Sequence, residues 1–129
     1  MRLLLDTHAL IWALTDPGRL SITAANLIRD VRNIVLVSAA SAWEIATKHR
    51  LGRLPGAGPL MAAYATHLSI LGAEELPIRS AHALRAGSFG IDHRDPFDRI
   101  LAAQAMLEAA RLVTNDAAFA AFPDLEIVW

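Results

Sequence analysis

Arg2-Leu3-Leu4-Leu5-Asp6-Thr7 opens the chain, and its reading decides the fold class. Three leucines without a polar break describe a strand buried on both faces, since a half-exposed strand alternates apolar with polar residues. Such strands belong to parallel sheets covered by helices, and ligands gather just beyond their carboxyl ends. The acid at that point is Asp6. Working outward, Ile34-Val35-Leu36-Val37 precedes a helical segment carrying Glu44, and Leu112-Val113-Thr114 precedes Asn115-Asp116. Between them, Asp95-Pro96-Phe97-Asp98 opens a long Ala-rich helical stretch.

The remaining pattern predicts a helix from about Thr7 to Leu14, a turn at Asp16-Pro17-Gly18, and a helix capped by Ser21 that runs through Arg32. A third helix spans Ala39 to Leu51 and stops at Gly52. Leu54-Pro55-Gly56-Ala57-Gly58-Pro59 reads as an irregular, flexible loop, and Pro59 as the start of a helix reaching about Ile70. Leu76-Pro77-Ile78 fits a short edge strand, because Pro lacks a backbone donor. Ser80 is the expected cap of a helix to about Arg85. The Asp95-Pro96 helix should reach about Ala110, a small helix should cover Ala117 to Ala121, and Glu126 to Trp129 should be the last strand. Alternating strands and helices imply right-handed crossovers in an α/β fold: one domain, residues 1–129, with a parallel sheet of about 4–5 strands covered on both faces.

A chain of 129 residues suits one domain with a sizeable core. The apolar fraction of 54% is high, which fits either a surface awaiting a partner or simply abundant Ala. Ile11, Trp12 and Leu14 on the first helix, with Leu60, Met61, Ala63 and Tyr64 on the fourth, are the side chains expected at such a groove or two-fold surface. The longest apolar run, Ile34 to Trp43, is 10 residues, where a membrane span needs about 20. Asp6 arrives too early for a secretory signal, and the absence of Cys excludes a disulfide framework or a thiolate metal site. A cytoplasmic location, without membrane association, is the expectation. Net charge is −1, so the whole chain is not a basic nucleic-acid binder. Of its 12 cations only Lys48 is a lysine, and a local Arg patch can still hold phosphate through the planar guanidinium fork.

Each acid has an ordinary structural use beside a chemical one. Asp6 can cap the first helix or occupy a site. Asp95, with Pro96 and Asp98, nearly forms a capping box. Glu44 stands four residues before Lys48, the spacing of a helical ion pair. Asp116 can begin the small helix after it. Taken jointly, carboxylates brought to one sheet edge are hard oxygen ligands suited to Mg²⁺ or Mn²⁺ rather than zinc. The histidines form no zinc-like array, there is no Gly-rich phosphate loop, and no Ser sits in a nucleophile-elbow setting.

The set as a whole resembles the PIN-domain ribonucleases and, within them, the VapC-type toxins of bacterial toxin–antitoxin pairs. The resemblance rests on Leu4-Leu5-Asp6-Thr7-His8-Ala9-Leu10, Ser41-Ala42-Trp43-Glu44-Ile45 with Leu51-Gly52-Arg53-Leu54, His93-Arg94-Asp95-Pro96-Phe97-Asp98-Arg99, and Val113-Thr114-Asn115-Asp116. It covers essentially the whole chain and is weakest from Pro55 to Glu75. It implies that Asp6, Glu44, Asp98 and Asp116 form a catalytic metal pocket for Mg²⁺ or Mn²⁺, with Asp6 and Asp98 its most direct ligands. Asp95 is then a supporting acid, and Thr114 and Asn115 are polar neighbours. His8, Arg53, Arg94 and Arg99 are the expected phosphate contacts. The implied partners are an RNA substrate, a cognate antitoxin laid as an apolar helix into a groove, and a second copy of the chain. Two rivals stand beside this reading. A haloacid-type phosphatase needs a second Asp where His8 stands. A non-catalytic RNA- or protein-binding module is not expected to keep the full acidic set.

Overall fold

The computed structural model describes all residues, 1–129. Five strands form one parallel sheet in the order β3-β2-β1-β4-β5: β1 (Arg2–Leu5), β2 (Ile34–Ser38), β3 (Ala73–Leu76), β4 (Arg111–Val113) and β5 (Ile127–Val128). The chain builds outward from β1 through β2 to β3, then returns to lay β4 and β5 on the other side. That return creates a topological switch point between β1 and β4, where open α/β sheets form their clefts. Register is continuous across the centre, with Leu5 opposite Val37 on one side and Val113 on the other.

The leucine run works as its pattern implies. Leu3 and Leu5 point to one face and pack with Val35, Val37, Ala9, Leu10, Ile28 and Ile45. Leu4 points to the other face and meets Leu36, Leu112, Leu101 and Phe119. Side chains alternate across a strand, so an unbroken run supplies two cores at once. The first face is covered by α1 (Thr7–Thr15), α2 (Ile22–Arg29), α3 (Ala39–Arg50), α4 (Gly58–Ala62) and α5 (Tyr64–Leu71). The second is covered by α7 (Pro96–Leu107) and the short 3-10 helix Ala117–Ala121, with α6 (Ser80–Ser88) packed against α7. No helix is long and apolar enough to cross a membrane.

Several boundaries differ from the sequence expectation, each for a local reason. Helix α2 stops at Arg29 because the Asp30 carboxylate accepts from the Arg32 backbone N–H at 3.0 Å and Asn33 Nδ2 donates to Leu27 O at 2.9 Å. The expected loop Leu54 to Pro59 instead contains a 3-10 helix, Pro55–Ala57, that runs into α4, and burial of Ala57 and Leu60 in the core orders it. The expected single helix to Ile70 breaks at Ala63, where φ is −124° and ψ 34°. Gly72, at φ +73°, ends α5 and turns straight into β3, so the edge strand precedes Pro77 rather than containing it. Helix α6 is capped not by Ser80 but by His82, whose Nδ1 accepts from the Arg79 N–H at 3.0 Å, and it continues to Ser88. Helix α7 ends at Leu107, since Ala109 takes the left-handed conformation (φ 50°) that closes helices. Only Ile127 and Val128 of the last expected strand join the sheet.

Candidate functional site

Four separate segments bring acids to the carboxyl end of the sheet. Together they line a cleft of about 70 Å³ bounded by Asp6, Thr7, His8, Glu44, Lys48, Asp95, Asp98, Leu101, Asp116 and Phe119. Asp6 follows β1 and has both of its candidate uses. Its Oδ1 caps α1 by accepting from the Ala9 N–H at 2.7 Å, and its Oδ2 accepts from Thr114 Oγ1 at 2.5 Å. The residue is only 4% exposed. Burial pushes its carboxyl up from the ordinary range; the Thr114 and Ala9 bonds oppose that shift, and the Glu44 carboxylate adds to it. Thr114 thus joins the ends of β1 and β4, and its Oγ1 also accepts from the Asp116 N–H at 3.0 Å.

Glu44 enters from α3, whose first turn is fixed by Ser38 accepting from the Ala40 N–H and by Thr7 Oγ1 donating to Ser41 Oγ at 3.1 Å. It pairs with Lys48 (Nζ to Oε2, 2.8 Å), but this is no solvated surface pair, because the Glu44 side chain is 8% exposed. Asp98 sits in the first turn of α7. Asp95 caps that helix, its Oδ1 accepting from the N–H groups of Phe97 and Asp98 at 2.9 and 3.2 Å. Asp98 Oδ2 lies 2.9 Å from His93 Nε2. Desolvation pushes the Asp98 carboxyl up to about 6; the His93 bond pulls against this, while Asp95 and Asp116 raise it further. Asp116 caps the 3-10 helix after β4, accepting from the Ala118 N–H at 2.9 Å.

Negative charge is therefore concentrated where water is partly excluded, with Lys48 as the only Lys or Arg lining the cleft. An all-oxygen, like-charged donor set fits a hard divalent cation. The side chains as they stand do not close around a common point: no three His, Asp or Glu are grouped tightly enough to chelate an ion. Each carboxylate is instead held by a protein donor, Asp6 by Thr114 and Ala9, Glu44 by Lys48, Asp98 by His93 and Asp116 by Ala118.

Comparison with known proteins places this architecture. The model of the PIN domain family matches residues 3–125, nearly the full chain. The chain belongs to the PIN-domain family. Among curated proteins, it is 32% identical over 116 residues to "Ribonuclease VapC22" of Mycobacterium tuberculosis, covering 88% of this chain and 85% of that protein. It is 38% identical over 76 residues to "Ribonuclease VapC16" of the same organism, an alignment that spans 56% of this chain and about half, 54%, of the relative. Solved structures share the fold at low identity. The VapBC-1 complex of nontypeable Haemophilus influenzae aligns with a TM-score of 0.72 at 18% identity, over 99% of this chain and 97% of the other. The VapBC2 complex of Rickettsia felis, bound to a DNA fragment from its promoter, gives 0.67 at 17% identity, over 99% and 98%.

Within this PIN domain the remaining residues singled out in the sequence are dispersed. His8 is exposed at the cleft rim, while Asn115 is exposed and does not line the cleft. Arg99 faces the chain rather than solvent: its guanidinium donates to the carbonyls of Ala86, Phe89, Ile91 and His93. Arg94 is exposed and lies 3.4 Å from Asp92. Arg53 lines a different groove with Ile11, Thr15, Leu54 and Leu60. His93 carries no pairing signal in the sequence. It bonds Asp98 across a loop–helix junction at a separation of five residues, which no helical spacing rule detects. Its only sequence signal is its place immediately before Arg94-Asp95-Pro96.

Proposed function

We propose that this PIN domain is a metal-dependent endoribonuclease, the toxin of a toxin–antitoxin pair, acting through Asp6, Glu44, Asp98 and Asp116. The observation that carries the proposal is the convergence of these four carboxylates, from four segments, on one partly dehydrated cleft where Asp98 is pushed up to about 6 by burial and its acidic neighbours. Relatives named ribonucleases support the substrate class. Bound Mg²⁺ or Mn²⁺ supplies Lewis-acid stabilisation of the phosphodiester and makes a water more acidic.

The chain's own residues prepare that site. Ala9 N–H and Thr114 Oγ1 lock the Asp6 carboxylate in one orientation, so little reorganisation remains when charge arrives. Asp95 fixes the first turn of α7 and with it the direction of Asp98. Lys48 and His93 hold Glu44 and Asp98 in the free protein and would have to release them for these carboxylates to hold a cation. Inhibition of the toxin by its antitoxin fits the groove lined by Ile11, Arg53, Leu54, Ala57 and Leu60, a form suited to an amphipathic helix. A second copy of the chain is the other proposed partner.

The test is cleavage of single-stranded RNA by purified protein with Mg²⁺ or Mn²⁺, against the same protein in EDTA and against D98N. Cleavage that needs the cation and fails in D98N is the expected result. RNA binding without cleavage under either cation would leave a non-catalytic module. Sedimentation with and without the product of the adjacent gene tests the partners.

A further inference from the structure

An exposed tryptophan backed by a half-buried phenylalanine stands on the two helices that carry Glu44 and Asp98. Trp43 precedes Glu44 on α3, Phe97 precedes Asp98 on α7, and their rings meet edge to face with centroids 4.8 Å apart and planes at 76°. Trp43 is 61% exposed, while the other two tryptophans, Trp12 and Trp129, are half-buried and pack on each other. A large indole left open to water has an energetic cost, and its neighbour supports it in one orientation.

The cleft has a difficulty that this pair answers. Five acids line it against Lys48, which is already paired with Glu44. Arg99 is committed to four backbone carbonyls, and Arg53 lines another groove. An RNA backbone entering this cleft is repelled by carboxylates and meets no Arg and no Lys but Lys48 in its lining, the exposed Arg94 lying outside it. Stacking on a base face is insensitive to that repulsion, and unpaired bases are what RNA-binding aromatic residues capture.

We infer that Trp43, braced by Phe97, is a substrate-positioning residue that stacks on an unpaired base next to the scissile phosphate. The inference rests on the ribonuclease reading above. Neither ring lines the cleft itself, but their contact joins the two helices that send Glu44 and Asp98 into it, which puts the pair on the flank of the cleft where a neighbouring base would rest. The ring supplies affinity and register; it does not touch the reacting atoms.

The experiment measures KM and kcat for wild type, W43A and W43F on a cleavable RNA oligonucleotide and on a series with one abasic nucleotide moved along it. Wild type should show one abasic position where KM rises about tenfold, the scale of one lost stacking contact. W43A should raise KM about tenfold on intact RNA and show no further loss at that position, while W43F retains the abasic dependence. The loss should fall on KM rather than kcat, as for uniform binding. An unchanged KM in W43A overturns the inference. So does an abasic profile that persists in W43A, or a W43A effect confined to dissociation of a dimer in sedimentation. If wild type cleaves no RNA, the function proposal fails separately. Fluorescence then decides the stacking: quenching by unpaired RNA that is lost in W43F supports it, and no quenching overturns it.

Discussion

Two histidine–carboxylate pairs sit at opposite ends of this sheet with the same 2.9 Å separation. At the amino end, His82 is fully buried and uses both ring nitrogens. Its Nδ1 accepts from the Arg79 N–H, which leaves the proton on Nε2 to be donated to Glu108. The other Glu108 oxygen takes Arg2, whose Nε also donates to Glu108 O. That pair ties β1, α6 and the end of α7 into one neutralised knot. At the carboxyl end, His93 meets Asp98 with Asp95 and Asp116 close by and no Arg or Lys bonded to Asp98. The same contact is structural where a cation completes it. Where further acids crowd it, no Lys or Arg completes the pair and the carboxyl is pushed up instead.

The largest effect expected from this contrast is on activity. D98N should lower RNA cleavage by roughly 10³-fold, about 4 kcal/mol of transition-state stabilisation, with the fold retained by circular dichroism. Full activity in D98N would reduce Asp98 to a helix-turn residue. E108A should do the opposite, losing about 2 kcal/mol of stability by stranding the buried His82 and Arg2, while activity per folded molecule stays at the wild-type level. A denaturant titration and a rate measured on the same sample check both halves.

Cation binding sharpens the comparison. Mg²⁺ or Mn²⁺ at about 100 times its Kd should stabilise wild type and E108A by about 2.7 kcal/mol, and D98N by much less. A melting temperature indifferent to millimolar cation in all three proteins would count against the cleft as a metal site. The pH dependence of the metal-free protein follows from the sign of the Asp98 shift. Its folded value, about 6, lies above the ordinary 3.8. Its contribution to stability is therefore present at low pH and lost as pH rises through about 6. D98N removes that loss, so its unfolding free energy should match wild type near pH 4 and exceed it at pH 7.5 by on the order of 1 kcal/mol, after discounting for the partial solvent exposure of Asp98. The smallest effect expected is at Tyr64, whose hydroxyl is buried without a hydrogen-bond partner and is pushed up to about 12 by burial and by Glu75. Y64F should be neutral or stabilising by up to about 1 kcal/mol, since it removes an unsatisfied group.

Much of the architecture was legible because local rules carry it. The leucine run, the second apolar run and the Ser21 and Asp95 caps act through neighbours within a few residues, and each element appears within a few positions of where its pattern puts it. Misplaced boundaries cluster where a distant contact intervenes: Leu60 orders a segment that reads as loop, and His82 takes the capping place expected of Ser80. The acids were legible as a set, because strand ends and first helical turns in a parallel sheet all face one edge. The fates of the arginines were not. Arg94 and Arg99 flank the same acids in sequence, yet one is in solvent and the other clamps four carbonyls.

By itself the sequence determined a parallel α/β sheet with Asp6, Glu44, Asp98 and Asp116 at its carboxyl end, since apolar period and helix caps depend on contacts a few residues apart. Only the tertiary structure decided which charges are compensated. Thr114 reaches Asp6 across 108 positions and Arg2 reaches Glu108 across 106, while His93 reaches Asp98 around a loop. A carboxylate's charge state depends on desolvation and on every group within a few ångströms. Folding brings those groups together from all parts of the chain, so one histidine–acid pair became a structural knot and the other the wall of a cleft.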